Sequence, residues 1–454
     1  MPSSDPSSTH IAVIGAGLGG ALMACYLAQA GYRVSMYERR SDPRVAGFVG
    51  GRSINLALSV RGITALREVG LADKVLAQAI PMRGRMMHSM SGELTFQAYS
   101  ANAEDAINSV DRGGLNLTLL EAAAAYPNVE LHFDCRCVEL DLDAPRARFE
   151  DATGKAREVC ADLIIGADGA FSAVRGQMQK LDRFNYNQQY LEHGYKELTI
   201  PPPATASTKW PGFAMEPNAL HIWPRGGSMM IALPNRDGSF TCTCFWPYQG
   251  QIGFDQIVSE ADVVPFFQRF FPDAVPLMPT LAQDYMRNPT SSLVTVRCMP
   301  WHYRDKAVLV GDAAHAIVPF FGQGMNAAFE DCRILNGLIQ SHAPRWDVIL
   351  DTFTRVRKAD ADAIADMALS NFIEMRDKVG SKRFLLKKKT EHMLHRWFPS
   401  RFTPLYNLIS FSNVPYAEAK RRGEKQDGLL RVAGIALIAL LLIAALAAIG
   451  WAIG

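Results

Sequence analysis

An unbroken apolar run, Ile11-Ala-Val-Ile14, breaks into Gly15-Ala-Gly17-Leu-Gly-Gly20 and resumes as a long apolar stretch through Ala28. A short apolar run closed by glycines reads as a buried strand, and the longer stretch after it as a buried helix. A second strand, Arg33-Val-Ser-Met-Tyr37, ends at Glu38. Gly15-x-Gly17-x-x-Gly20 between strand and helix, with an acid closing the next strand, is the dinucleotide-binding fingerprint. Gly15 permits the tight turn, Gly17 lets backbone approach a pyrophosphate, and Gly20 allows close helix–strand packing. The helix N-terminus then faces the phosphates. Glu38 can accept from ribose hydroxyls and would repel a 2′-phosphate. NAD and FAD both satisfy this pattern.

Further along, alternation at Ile54, Leu56 and Leu58 predicts a short strand, with Arg52 and Asn55 as ligand contacts or solvated loop residues. Met82 to Ser100 alternates on both sides of Ser91-Gly92, a β-hairpin pattern. Arg112 opens a helix of about three turns. A cation there opposes the helix dipole unless it serves another group, which favours a phosphate or cofactor contact over a solvated surface. The buried strand Leu163-Ile-Ile-Gly166 runs into Ala-Asp168-Gly169, so Asp168 either approaches a cofactor or caps the next helix. Residues 181–300 read as a mostly β insertion whose aromatic strands line a pocket or, more commonly, form sheet core. Ala307-Val-Leu-Val310 returns to the first theme, ending in Gly311-Asp312 and then Pro319-Phe-Phe-Gly322-Gln-Gly324-Met325-Asn326 before an amphipathic helix.

The 454 residues suggest two or three domains, and 48% hydrophobic content is ample for a core. A formal net charge of +2 gives no general pull toward nucleic acid. The eight cysteines include no CxxC pair, so zinc and dithiol redox chemistry are poor readings and reduced thiols the simpler one. His392 and His395 have helical spacing but no third ligand, so no metal site is expected, and His315 is expected to pack structurally. The first ten residues lack a signal-peptide pattern and read as a short disordered lead.

Three motifs in one order, Gly15-x-Gly17-x-x-Gly20, Gly166-Ala-Asp168-Gly169, and Gly311-Asp312 with Pro319 to Asn326, resemble the single-component FAD-dependent aromatic hydroxylases. Arg52-Ser-Ile-Asn-Leu-Ala-Leu-Ser59-x-Arg61-Gly62 and Pro319 to Asn326 look specifically like the kynurenine 3-monooxygenase family. The resemblance implies FAD as cofactor, NADPH as electron donor, and O2 and L-kynurenine as substrates. It implies that Gly15, Gly17, Gly20, Glu38, Arg112, Asp168, Asp312, Pro319, Gly322, Gly324, Met325 and Asn326 hold FAD. It assigns the substrate carboxylate to Arg85 and Tyr99, with Asn371 and Tyr406 nearby and Phe321 shaping an apolar wall. Arg83, two residues from Arg85, competes for that role on spacing alone. The flavin carries the oxygen chemistry, so no catalytic side chain is expected. Competing readings are a related hydroxylase of another aromatic acid, and a membrane-tethered flavoprotein with a protein partner.

The resulting expectation is an α/β protein, α+β overall. A Rossmann-type FAD-binding domain (residues 1–80, 101–180 and 301–343) carries a substrate-domain hairpin (81–100) and a β-rich substrate domain (181–300). A helical region (344–428) and a transmembrane tail (429–454) follow. Val432 to Ile453 is 22 residues without a charge, and at about 1.5 Å per residue it can span a bilayer of about 30 Å. Lys420, Arg421, Arg422, Lys425 and Arg431 precede it, so the positive-inside rule places the catalytic body in the cytoplasm, on a bacterial inner or mitochondrial outer membrane. A buried helix or a homodimer contact is the competing account of this segment.

Overall fold

The computed structural model describes residues 5–46, 55–204, 209–374 and 402–432, with the single positions 390, 393 and 397. Arg52, His392 and His395 lie outside the described residues, as does the expected membrane span after Val432.

The apolar run at the N-terminus is β1 (His10–Ile14), and every residue in it is buried. It is the centre of a six-stranded sheet with β2 (Arg33–Tyr37), β8 (Val129–His132), β12 (Leu163–Gly166), β18 (His302–Tyr303) and β19 (Ala307–Leu309), in the order β18-β19-β12-β1-β2-β8. All neighbours are parallel except β18–β19. Strands buried on both faces are continuous apolar runs rather than alternating ones, which is why β1, β12 and β19 were legible. Parallel strands also end on one edge. The loops after β1, β2, β12 and β19 therefore converge, and ligands of such sheets bind at that edge.

A second, seven-stranded sheet takes in β5 (Gly84–His88), β6 (Leu94–Ala98), β13 (Asn185–Ile200), β14 (Ala219–Pro224), β15 (Met229–Pro234), β16 (Phe240–Pro247) and β17 (Ser291–Met299), in the order β17-β13-β16-β15-β14-β5-β6. Strands alternate sides, and here the two faces do different work. Leu198, Trp223, Met230, Cys242, Cys244 and Trp246 pack under the helices Glu260–Phe270 and Leu281–Arg287. Met87, Ile222, Met229 and Phe245 face the other way, onto Phe320 and Phe321. The insertion is thus β-rich but not β alone: the two helices cover the outer face, and their apolar stripe (Val263, Phe266, Phe267, Phe270) buries the tryptophans. Those tryptophans are sheet core, while Phe245 and Tyr195 lie on the inner face.

Two three-stranded sheets complete the body: β3 (Asn55–Leu58), β7 (Ile107–Asp111) and β4 (Ile80–Met82) in the order β3-β7-β4, and β9 (Arg136–Asp141), β10 (Arg146–Glu150) and β11 (Ala156–Cys160) in the order β11-β10-β9. The N-terminal lead is not wholly irregular, because Asp5 caps a 3-10 turn over Pro6–Ser8. All eight cysteines are free. Among the described residues no helix is long and apolar enough to cross a membrane.

Candidate flavin and substrate site

Gly15 has φ +102°, and a Cβ there would lie 2.5 Å from the Ala167 carbonyl oxygen, so the first turn touches the turn after β12. A Cβ at Gly20 would lie 1.9 Å from the Gly15 oxygen. At Gly17, which caps the helix Leu18–Gln29, a Cβ would meet nothing within 4 Å. The backbone is thus tight behind the turn and open in front of it, the arrangement a pyrophosphate at a helix N-terminus requires.

Glu38 is buried, accepting from Ala16 N at 3.0 Å and from Arg40 Nε at 2.8 Å. Burial raises its pKa, but Arg40 and the Ala16 N–H outweigh that and hold the carboxyl below its ordinary value. Asp168 caps the next helix, one of the two roles the sequence allowed. Its Oδ2 accepts from Ala173 N at 2.6 Å, capping the helix Ala173–Met178, while Oδ1 is buried with no hydrogen-bond partner. Burial pushes its pKa up, against the Ser172, Val174 and Ala173 hydrogen bonds. An orphaned oxygen beside the Gly15 turn fits a cofactor that brings a donor.

At the other end of the cleft, Gly311 (φ +58°) turns β19 into Asp312. Asp312 keeps exposed surface although protein crowds around it. This burial raises its pKa, and His315 and Arg112 oppose the rise. Arg112 is the first residue of the helix Arg112–Ala124 and is exposed. Pro319–Phe321 forms a 3-10 turn, Gly322 is left-handed, and Gly324 and Met325 open the helix Gly324–His342. Asn326 enters differently from expectation. Its Oδ1 accepts from Ser59 N at 2.9 Å, and its Nδ2 donates to Ala57 O and Gly322 O. The side chain is a staple between this loop and β3, leaving its backbone N–H as the group available to a cofactor.

Arg85, Tyr99, Tyr406 and Phe321 come together from four separate segments. The Arg85 guanidinium lies 4.8 Å from the Tyr406 ring centroid and 5.6 Å from that of Tyr99. Tyr99 stacks on Tyr406 at 5.0 Å, and Tyr406 on Phe321 at 5.6 Å. Burial would lower the Arg85 pKa, yet Tyr406, Tyr99 and Glu374 hold it above its ordinary value. Its Nε and the Tyr99 hydroxyl are buried without hydrogen-bond partners. Burial pushes the Tyr99 phenol well up. Arg83 is resolved from Arg85: it precedes β5, is exposed, and donates to Ala103 O. Asn371 sits on the helix Trp346–Ile373 and donates from Nδ2 to Phe320 O at 2.6 Å, which ties the helix to the loop. Glu374, one turn beyond Asn371, is the acid nearest in influence to Arg85, and no sequence pattern singled it out.

Behind the loop lies a buried ionic network that the sequence did not reveal. Arg357 Nε meets Asp331 Oδ1 at 2.7 Å and its Nη1 meets Glu330 at 2.8 Å and Asp360 at 3.1 Å. Glu330 also pairs with Arg61 at 2.6 Å. Asp331 Oδ2 accepts from Gly311 N and faces His315 Nε2 at 2.5 Å. His315 also stacks on Trp301, so its role here is structural.

Residues 8–368 match the family model described as FAD binding domain. The chain is 47% identical to the kynurenine 3-monooxygenase of Myxococcus xanthus over 94% of its length and 91% of the relative's. It is 45% identical to that of Sus scrofa, over 95% and 90% respectively. Among solved structures it is similar to tetrameric 2-methyl-3-hydroxypyridine-5-carboxylic acid oxygenase (TM-score 0.66, 20% identity, 83% of this chain and 95% of that one). It is also similar to Pseudomonas aeruginosa PqsL in complex with 2-aminobenzoylacetate (TM-score 0.65, 19% identity, 81% and 97%). These likenesses establish the FAD-binding monooxygenase α/β fold.

Proposed function

This chain belongs to the kynurenine 3-monooxygenase family of FAD-binding proteins, and from that premise we propose how its residues divide the work. It hydroxylates L-kynurenine to 3-hydroxykynurenine with NADPH and O2. The observation that carries the substrate assignment is Arg85: a guanidinium with an unpaired Nε, walled by two tyrosines, beside the loop Pro319–Phe321. A planar fork in a water-poor site recognises a carboxylate by two parallel hydrogen bonds. Tyr99 and Tyr406 add phenol donors, and Phe321 excludes water on the ring side. Asn371 positions Phe320, which stacks on Phe372 at 3.9 Å to extend the apolar wall.

The ADP half of FAD lies across Gly15, Gly17, Gly20 and Glu38, with Asp168 accepting from it. Arg112, Asp312 and the run Pro319 to Asn326 hold the reactive half. FAD supplies hydride acceptance and oxygen activation. This chain orients the aromatic ring beside it and offers the N-terminus of the helix Gly324–His342 to negative charge on the reduced cofactor. The test is NADPH oxidation by the purified holoenzyme. L-kynurenine is expected to stimulate it and to be converted to a hydroxylated product. Oxidation unaffected by kynurenine, with no product, would refute the assignment and favour another aromatic acid.

The described helical stretch at 416–432 runs into the uncharged segment Val432 to Ile453. We read that segment as a C-terminal membrane anchor with the body cytoplasmic. Deleting residues 432–454 is expected to move the protein from the membrane to the soluble fraction after detergent-free lysis. Unchanged partition would exclude the anchor.

A further inference from the structure

Tyr406 forms one wall of the arginine–tyrosine cluster, yet it stands on a helix of only six residues, Leu405–Ser410. A helix that short is not stable by itself in water, so the position of the wall comes from what its segment is bonded to. Asn407, next to Tyr406, donates from Nδ2 to Ser100 Oγ at 3.1 Å, one residue beyond Tyr99. Arg61, fully buried, donates from Nε to Ile409 O at 3.2 Å and from Nη2 to Val414 O, while its Nη1 meets Glu330 at 2.6 Å. Ala417 N donates to Asp360 Oδ1 at 2.9 Å. The buried ionic network behind the loop is thus also the seat of the segment that carries Tyr406.

One bond in this seat reaches the loop itself. Tyr416 is fully buried, its ring centroid 3.8 Å from the Arg61 guanidinium carbon, and its hydroxyl donates to Gln323 Oε1 at 2.9 Å. Burial pushes the phenol up, so it keeps its proton and remains a donor. Gln323 is buried between the left-handed Gly322 and Gly324, at the cap position of the helix Gly324–His342. Its side chain makes no cap bond to that helix. A side-chain oxygen at a cap position ordinarily accepts from the first free N–H groups of its helix. Here the oxygen is turned to Tyr416, which leaves those N–H groups to an anionic ligand.

We propose that Tyr416 is a positioning residue for the oxygen transfer. Its hydroxyl holds the Gln323 oxygen off the helix N-terminus and locks the turn Pro319 to Asn326 to the segment that carries Tyr406. The inference rests on the hydroxylase reading above, because the lock sets how the substrate ring meets the cofactor. In the coupled reaction one atom of O2 enters a ring C–H bond as C–OH and the other leaves as water, with NADPH and one proton supplying two electrons and two hydrogens. When ring and cofactor are out of register, the same two electrons and two hydrogens convert O2 to hydrogen peroxide and the ring is untouched.

The readout is hydrogen peroxide formed per NADPH oxidised by the holoenzyme at saturating L-kynurenine. Tyr416→Phe keeps the ring and removes one hydrogen bond, so the peroxide share is expected to rise about two- to tenfold with FAD content unchanged. Gln323→Met removes the acceptor instead and should give a similar rise. The double variant should produce no more peroxide than the worse single one, since both break the same bond. Asn413→Ala breaks the bond from the same segment to Thr64 Oγ1, which does not reach the loop, and should leave the share at the wild-type value. A wild-type peroxide share in Tyr416→Phe, even with a lowered melting temperature, would make the residue merely structural and overturn the inference, as would effects that multiply in the double variant. Wild-type enzyme whose NADPH oxidation ignores kynurenine would instead overturn the reading beneath it.

Discussion

Replacing Arg85 with alanine is expected to raise the dissociation constant for L-kynurenine by about 10²-fold or more, since hydrogen bonds to charged groups contribute about 1.5–3 kcal/mol each and loss of the proposed carboxylate clamp would remove two. FAD should stay bound, because Arg85 lies on β5 in the substrate sheet and shares no hydrogen bond with Gly15, Glu38 or Asp312. Substrate-induced changes in flavin fluorescence measure the affinity, and absorbance after desalting measures FAD. Arg85→Lys should also bind poorly, because an ammonium cannot reproduce the planar fork. Loss of FAD from Arg85→Ala would make the arginine structural. Wild-type affinity in that variant would move the carboxylate elsewhere.

The second large effect is on stability. Arg357→Met leaves Glu330, Asp331 and Asp360 facing one another inside the protein. Arg357 is fully buried, and breaking a buried ion network by removing one partner costs about 3–5 kcal/mol. A fall in denaturant midpoint of that size is expected, and a loss under about 1 kcal/mol would show the network relaxes without it. The pH dependence has a definite sign. Burial raises Asp331, but His315 and Arg357 bring it down to about 2 from 3.8, so its folded pKa is depressed. Its stabilisation is present above about pH 4 and is lost as pH falls toward 2. The Arg357→Met protein should lose much of that acid transition, read by fluorescence during acid titration.

The elements legible in the chain were those with local signatures. β1, its glycine turn and the following helix, the β5–β6 hairpin about Gly92, and the strand before Asp168 each announce themselves by continuous apolar runs, alternation or glycine placement. The helices Glu260–Phe270 and Leu281–Arg287 were missed inside a segment rich in strand-forming aromatics, although Ser259 and Asp262 form a capping box. Glu374 and the Arg61–Glu330–Arg357 chain had no signature, because their partners are tens to hundreds of residues away. Asn326 and Asn371 were visible as polar positions, but not that their amides bond inward to Ala57, Gly322 and Phe320.

The sequence alone determined that a dinucleotide-binding turn closes β1, that an acid follows β2, and that later glycine–aspartate turns return to the same edge. Local sterics require this, since only glycine tolerates Gly15's φ and the contact at Gly20. Which arginine joins the tyrosine cluster was decided by tertiary structure. Arg83 and Arg85 are equivalent by spacing, and the start of β5 between them turns one to solvent and the other onto Tyr406. The bond from Tyr416 to Gln323 likewise exists only because the segment after Leu405 folds back onto the turn Pro319 to Asn326, a meeting of segments that no short stretch of chain encodes.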